Sequence, residues 1–165
     1  MHPEILKKLE KKNQLPTQLY VSLNSSNEKD YNKWHNSKNK KAWKKYNKTL
    51  DFLKKITGKG KRTVLRMTLV KDMNMSDKNV KEFAELIKKS GVLFAEAKSY
   101  MPLGYARARL GYEKMPFFED LKKFAGALAK ATGYIVLDKH IPSKIILLGK
   151  NKEAKKRMKI KKSEI

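Results

Sequence analysis

Residues 63–70, TVLRMTLV, and residues 92–100, VLFAEAKSY, decide the fold of this chain. Each is short, rich in branched and apolar side chains, and preceded by a glycine break, Gly60 in one case and Gly91 in the other, so each is expected to be a strand. Between them, Ser76 or Asp77 can cap a helix that carries Val80, Phe83, Ala84 and Ile87 on one face. Strand, crossover helix and strand make a parallel pair. Working outward, residues 18–23 (QLYVSL) read as a further strand after the break Leu15-Pro16-Thr17. A helix from about 39 to 56, with Trp43, Tyr46, Leu50 and Leu53 at helical spacing, joins it to 63–70. A short helix over 3–12 opens on Pro3, and the polar stretch 24–38 reads as a loop. After Pro102-Leu103-Gly104 comes a long connection, then a helix with Leu121, Phe124, Ala125 and Leu128 in register, ending at Gly133. Runs 134–137 and 145–148 flank His140-Ile141-Pro142-Ser143 as a closing strand pair, and the basic stretch from Lys150 is expected to be mobile.

This alternation predicts an α/β fold with a parallel sheet and crossover helices. Alternate residues of a strand share a face, which splits the strands into two rows. Leu19, Val21, Leu23, Leu65, Met67, Leu69, Ala95 and Ala97 form an apolar row suited to lie beneath helices. Tyr20, Ser22, Asn24, Val64, Arg66, Thr68, Glu96, Lys98 and Tyr100 form the other row, polar toward the carboxy ends of the strands. A doubly wound sheet is apolar on both faces, whereas a barrel tolerates polar groups facing its lumen near the strand ends, so the pattern favours a barrel or half-barrel with a site at its top. The alternative is that Arg66, Glu96 and Lys98 form a satisfied ion cluster.

The chain has 165 residues, with 40 Lys and Arg against 16 Asp and Glu, a net charge of +24 that attracts polyanions, nucleic acid foremost. With no cysteine it offers no disulfide, thiolate zinc site or Cys-ligated iron–sulfur cluster. No apolar run approaches the roughly 20 residues that span a bilayer, and MHPEILKKLEKK has no signal-peptide core. The expectation is a cytoplasmic protein without a membrane partner.

The stretches TQLYVSL, RTVLRMTLVK with Asn74-Met75, FAEAKSYM, Gly104, Arg107, Arg109-Leu110, Met115-Pro116 and GYIVLDKHIPSKIILLGK resemble the successive strand-end motifs of the archaeal and eukaryotic 4-demethylwyosine synthases. The resemblance runs from Pro3 to Lys150 in order. It implies the carboxy-terminal half of a radical-SAM (β/α) barrel over 1–110, a wyosine base formation segment over 111–150, and the basic tail 151–165. It further implies a tRNA-modifying enzyme of the lyase class. In that family a [4Fe–4S] cluster held by a three-cysteine loop cleaves S-adenosylmethionine, and N1-methylguanosine beside the anticodon of phenylalanine tRNA becomes a tricyclic base with carbons from pyruvate. The cluster would belong to a cysteine-bearing amino-terminal half, expected as a separate chain, without which this one is not active.

By the same resemblance the S-adenosylmethionine pocket, shared between the halves, would draw on Ser22, Asn24, Arg66, Thr68, Lys98, Tyr100 and Met101. Arg107 and Arg109, with Lys114 and Lys144, would face tRNA. No catalytic residue is assigned, and no metal ligand. Read from the residues alone, Asn24 is also a good turn former, Lys71 a solvated loop lysine, and Trp34, rather than Trp43 at its helical spacing, the tryptophan expected to stand exposed. The sequence departs from the family pattern at Asn24 (Asp expected), Asp72 (Gly), Ala106 (Ser) and Phe118 (His), and has His35-Asn36-Ser37 where Asp-Arg-Pro is usual. The rival reading is a non-enzymatic basic RNA-binding protein on a half-barrel scaffold.

Overall fold

The computed structural model describes residues 2–164. Helix α1 (Pro3–Lys11) leads into strand β1 (Gln18–Ser22), followed by α2 (Glu28–His35), α3 (Ala42–Gly58), β2 (Arg62–Leu69), α4 (Asp77–Ser90) and β3 (Phe94–Ser99). Then come α5 (Tyr105–Leu110), α6 (Phe118–Thr132), β4 (Ile135–His140), β5 (Ile145–Gly149), α7 (Lys152–Lys155) and a 3-10 turn over Lys162–Glu164. The 5-stranded sheet has the order β1-β2-β3-β5-β4. β1, β2 and β3 pair in parallel, with Ser22 opposite Arg66 and Arg66 opposite Glu96. β5 joins the same sheet antiparallel to β3, and β4 runs antiparallel to β5. The sheet is therefore mixed where the alternation of elements predicted a parallel one, because β4 and β5 are joined by a tight turn, which reverses direction. His140, read as part of that turn, is the last residue of β4.

The apolar row does what its spacing predicts. Val21, Leu23, Leu65, Met67, Leu69, Ala95 and Ala97 are buried with Leu50, Leu53 and Ile56 of α3, Phe83 and Ile87 of α4, and Leu121, Phe124 and Leu128 of α6. Burying one such side chain contributes about 1.5–3 kcal/mol, so this layer dominates the stability. α4 starts on Ser76, whose hydroxyl accepts the Asn79 amide, and stops at Gly91, held at φ 54 where a left-handed residue closes the helix. These helices cover one face of the sheet, the arrangement of a segment of a (β/α) barrel rather than of a doubly wound sheet.

Two helices lie where loops were expected. α2 buries none of its residues; Asn27 caps it, and Tyr31 tilts against Trp43 and Tyr46 at 5.4 and 5.6 Å. Trp34, on this helix, is half-buried, not exposed. α5 is one short turn and a half, also without a buried residue. The tail is the third difference. Ala154 of α7 is fully buried with Val64, Leu93 and Phe94 on the uncovered face of the sheet, and Met158 packs against them. The guanidinium of Arg62, 1% exposed, donates to the Lys159 carbonyl at 2.9 Å and lies 3.3 Å from the Glu164 carboxylate. The stretch expected to be mobile thus closes the lower end of the second face. Among the described residues no helix is long and apolar enough to cross a membrane.

Candidate functional site

Above that plug, the polar row lies along the carboxy-terminal half of the sheet's second face. Glu96, 4% exposed, accepts from Arg66 Nε at 2.6 Å and from the Tyr20 hydroxyl at 2.8 Å. The Arg66 guanidinium lies 4.6 Å from the centre of the Tyr20 ring. Burial, then the hydrogen bond to Glu96, raises the pKa of the Tyr20 phenol and keeps it a donor. Arg66 and Glu96 therefore pair as the alternative ion cluster supposed, but its third member is Tyr20 in place of Lys98. Lys98 stands apart from it, half-buried and in no ion pair among the described residues. Ser22 ends β1 with an exposed side chain, while its carbonyl accepts the Tyr46 hydroxyl at 2.8 Å.

Two of the expected cofactor side chains, those of Asn24 and Tyr100, turn out to be tied down, and Thr68 is held through its backbone. The Asn24 side-chain oxygen accepts the Thr68 amide at 3.0 Å, and Asn74 donates both to the Asn24 carbonyl at 3.0 Å and to the Thr68 carbonyl at 2.9 Å. Asn74 also accepts the Val70 amide at 2.8 Å, so Asn24 and Asn74 lock the ends of β1 and β2 together. Tyr100 is buried and donates to the Ala106 carbonyl at 2.8 Å, which fixes α5 over the end of β3. Met101 is exposed beside it.

Three of the residues expected to face tRNA, Arg107, Arg109 and Lys114, lie on a collar, 101–117, that follows the end of β3. Its end is anchored at Lys114, whose carbonyl accepts the Lys71 amide at 2.9 Å, and at Pro116, whose carbonyl accepts Ser99 Oγ at 3.1 Å. Lys144, just before β5, lies with its ammonium 5.8 Å from the centre of the Phe117 ring, and the ammonium of Lys71 lies 4.4 Å from it. Lys71, read as a solvated loop lysine, also pairs with Asp120 at 3.1 Å, and Lys114 pairs with Asp72 at 3.0 Å. Among the described residues Arg107 reaches only the Tyr112 hydroxyl, at 3.4 Å, and Arg109 is exposed on α5. Phe117, the ring against which the Lys71 and Lys144 ammoniums lie, was missed by the sequence reading. Its signal was an aromatic directly after a Pro-ended loop and before the α6 helix.

Ser22, Thr68 and Lys98, with the side-chain nitrogen of Asn24, offer polar groups that this face leaves unengaged among the described residues. A hydroxyl, an amide and an ammonium at neighbouring strand ends suit a ligand with hydroxyl and carboxylate groups, as S-adenosylmethionine has. A metal cluster does not fit: there is no cysteine, and no group of three potential ligands occurs among the described residues. A cleft of about 750 Å³ lies elsewhere, between the β2–α4 loop and α6, lined by Lys71, Asp72, Ser76 and Asp120 among others, and by none of the strand-end residues of the polar row.

A family described as wyosine base formation matches residues 89–150. The S-adenosyl-L-methionine-dependent tRNA 4-demethylwyosine synthase of Pyrococcus abyssi is 37% identical over 88% of this chain, which covers 42% of that protein. The enzyme of the same name from Methanocaldococcus jannaschii is 34% identical over 88% of the chain, again with 42% of its own length covered. Among solved structures, TYW1 with a lysine-pyruvate adduct bound matches 90% of this chain and 44% of its own, with a TM-score of 0.73 and 30% identity. A crystal structure of archaeal TYW1 matches 96% of this chain and 45% of its own, with a TM-score of 0.66 and 28% identity. The chain spans less than half the length of each. In sequence over most of its length, and in fold, the chain is thus similar to a part of the tRNA 4-demethylwyosine synthases, as a partial (β/α) barrel.

Proposed function

We propose that this chain is the carboxy-terminal part of an S-adenosyl-L-methionine-dependent tRNA 4-demethylwyosine synthase. With a cysteine-bearing amino-terminal half, it takes part in converting N1-methylguanosine beside the anticodon of phenylalanine tRNA to a tricyclic base, with pyruvate as the second substrate. The observation that carries this reading is the 37% identity sustained over 88% of the chain. S-adenosylmethionine, when bound and reductively cleaved by a cluster that this polypeptide has no thiolate to hold, supplies the radical. This chain's own residues bind and orient. Ser22 and Lys98 offer hydrogen bonds at the strand ends, the Tyr20–Glu96–Arg66 cluster holds the strands at fixed spacing, and Arg107, Arg109 and Lys144 present positive charge to the RNA.

The test is complementation. The purified chain is mixed anaerobically with the cysteine-bearing remainder of the Pyrococcus abyssi synthase, S-adenosylmethionine, pyruvate and tRNA carrying N1-methylguanosine, and the nucleosides are analysed by mass spectrometry. Tricyclic nucleoside formed only when both parts are present is the expected result. Absence of product from a complex shown to form would leave the chain an RNA-binding protein without enzymatic partnership.

A further inference from the structure

We infer that the collar over residues 101–117 is a stacking platform for unpaired RNA bases, with Phe117 and Tyr105 as its aromatic faces and Lys144, Arg107 and Arg109 as its phosphate contacts. The inference rests on the tRNA reading above and adds to it which part of an RNA this surface takes.

Large apolar side chains of a folded chain are normally covered, and here several are not. Leu103 is 69% exposed, Tyr105 88%, Tyr112 60% and Phe117 66%. Ile141, 64%, and Ile5, 50%, are exposed elsewhere, but these four, three of them aromatic, cluster within one segment, and α5 at its centre buries no residue at all. The segment is nonetheless held firmly: Tyr100 grips the Ala106 carbonyl, Ser99 the Pro116 carbonyl, and the Lys71 amide the Lys114 carbonyl. Exposed aromatics on an anchored backbone are preorganised for a partner.

Charge selects the partner. Lys71 and Lys114 are neutralised by Asp120 and Asp72. Arg107, Arg109 and Lys144 have no carboxylate partner among the described residues, and lie on the same collar or, for Lys144, beside Phe117. Aromatic faces interleaved with unpaired cations suit a polyanion that carries flat apolar groups. Duplex RNA does not offer those groups, because its bases are stacked on one another, whereas a loop does.

The experiment measures binding of the chain to a fluorescent RNA hairpin with an unpaired loop and to a blunt duplex of equal length and charge. The expected result is tighter binding of the hairpin. Phe117→Ala and Tyr105→Ala should each weaken hairpin binding roughly five- to hundredfold, the range for losing one base–aromatic stack, and leave duplex binding and the salt dependence unchanged. Both side chains are exposed, so the thermal melt should not move. Arg109→Met and Lys144→Met should lower the slope of log affinity against log salt by about one per phosphate contact. Equal affinity for hairpin and duplex, unaffected by the alanine variants, would overturn the platform and leave the RNA reading standing. Failure to bind either RNA would overturn both. Alanine variants that keep hairpin binding but lose association with the cysteine-bearing half would assign the collar to a protein interface instead.

Discussion

Asn24 ends the first strand with its side-chain oxygen on the Thr68 amide, and the job needs an acceptor only. Asp, the residue the family resemblance leads one to expect there, supplies the same oxygen. Asn24→Asp should therefore leave stability in urea within about 0.5 kcal/mol of the parent, while Asn24→Ala, which strands the Thr68 amide, should cost about 1–2 kcal/mol. Asn74 shares these partners, so the two alanine substitutions should combine non-additively in a double-mutant cycle. Glu96→Gln is a parallel case at the strand centres. It removes the charge facing Arg66, but Arg66's side chain is 39% exposed and water repays part of the loss, so about 1–2 kcal/mol is expected rather than the larger cost of a fully buried pair. These residues mark how far a sequence reading goes. Alternation along the strands put Ser22, Arg66, Thr68, Lys98 and Glu96 on one face. It could not say that Glu96 would take up Arg66 and Tyr20, or that Asn24 would turn to a neighbouring backbone, because rotamers and partners are settled by tertiary packing.

Elements were legible where an apolar period was present, as in α3, α4, α6 and β1 to β3, and illegible where stability comes from few or isolated contacts. α2 is held by an Asn cap and one tyrosine, and α7 by a single buried alanine, signals too sparse to stand out from a polar stretch. The tail nevertheless covers Val64 and Phe94, so deleting residues 151–165 should cost about 2–4 kcal/mol in urea denaturation and speed amide exchange in β2 and β3. An unchanged midpoint would return the tail to its expected mobile state. Two tyrosines tie helices and loops to strands. Tyr46 donates to the Ser22 carbonyl and Tyr134 to the Val92 carbonyl at 2.6 Å, and burial raises both phenols well above the ordinary value of 10.0. For an acid whose pKa is higher folded than unfolded, the stabilisation is complete below the unfolded value, and it is lost as pH climbs past 10.0 toward the folded one. Tyr46→Phe and Tyr134→Phe should each cost about 1 kcal/mol at neutral pH and flatten the alkaline decline relative to the parent. Denaturation series at neutral and strongly alkaline pH measure both effects.

At the scale of the whole molecule two tendencies oppose one another, and salt decides between them. A net charge of +24 on 165 residues makes copies repel and attracts polyanions. Strand β1, by contrast, pairs only with β2 and lies at the edge of the sheet, a position that invites pairing with another strand. Beside that edge is an apolar groove of about 280 Å³ lined by Ile5, Leu6, Leu19 and Val21, with Ile5 50% exposed. At about 0.1 M salt the screening length is about 10 Å and repulsion holds copies apart; at 1 M it shrinks to about 3 Å while burial of the groove loses nothing. Self-association should accordingly rise with salt, as RNA binding falls with it. Sedimentation velocity at the two salt concentrations should show a monomer in the first and larger species in the second, and Ile5→Lys, which places charge in the groove without touching the core, should restore the monomer. Association that ignores salt, or that Ile5→Lys does not relieve, would mean that copies meet through some other surface and that the edge of β1 is protected by its twist and charge alone.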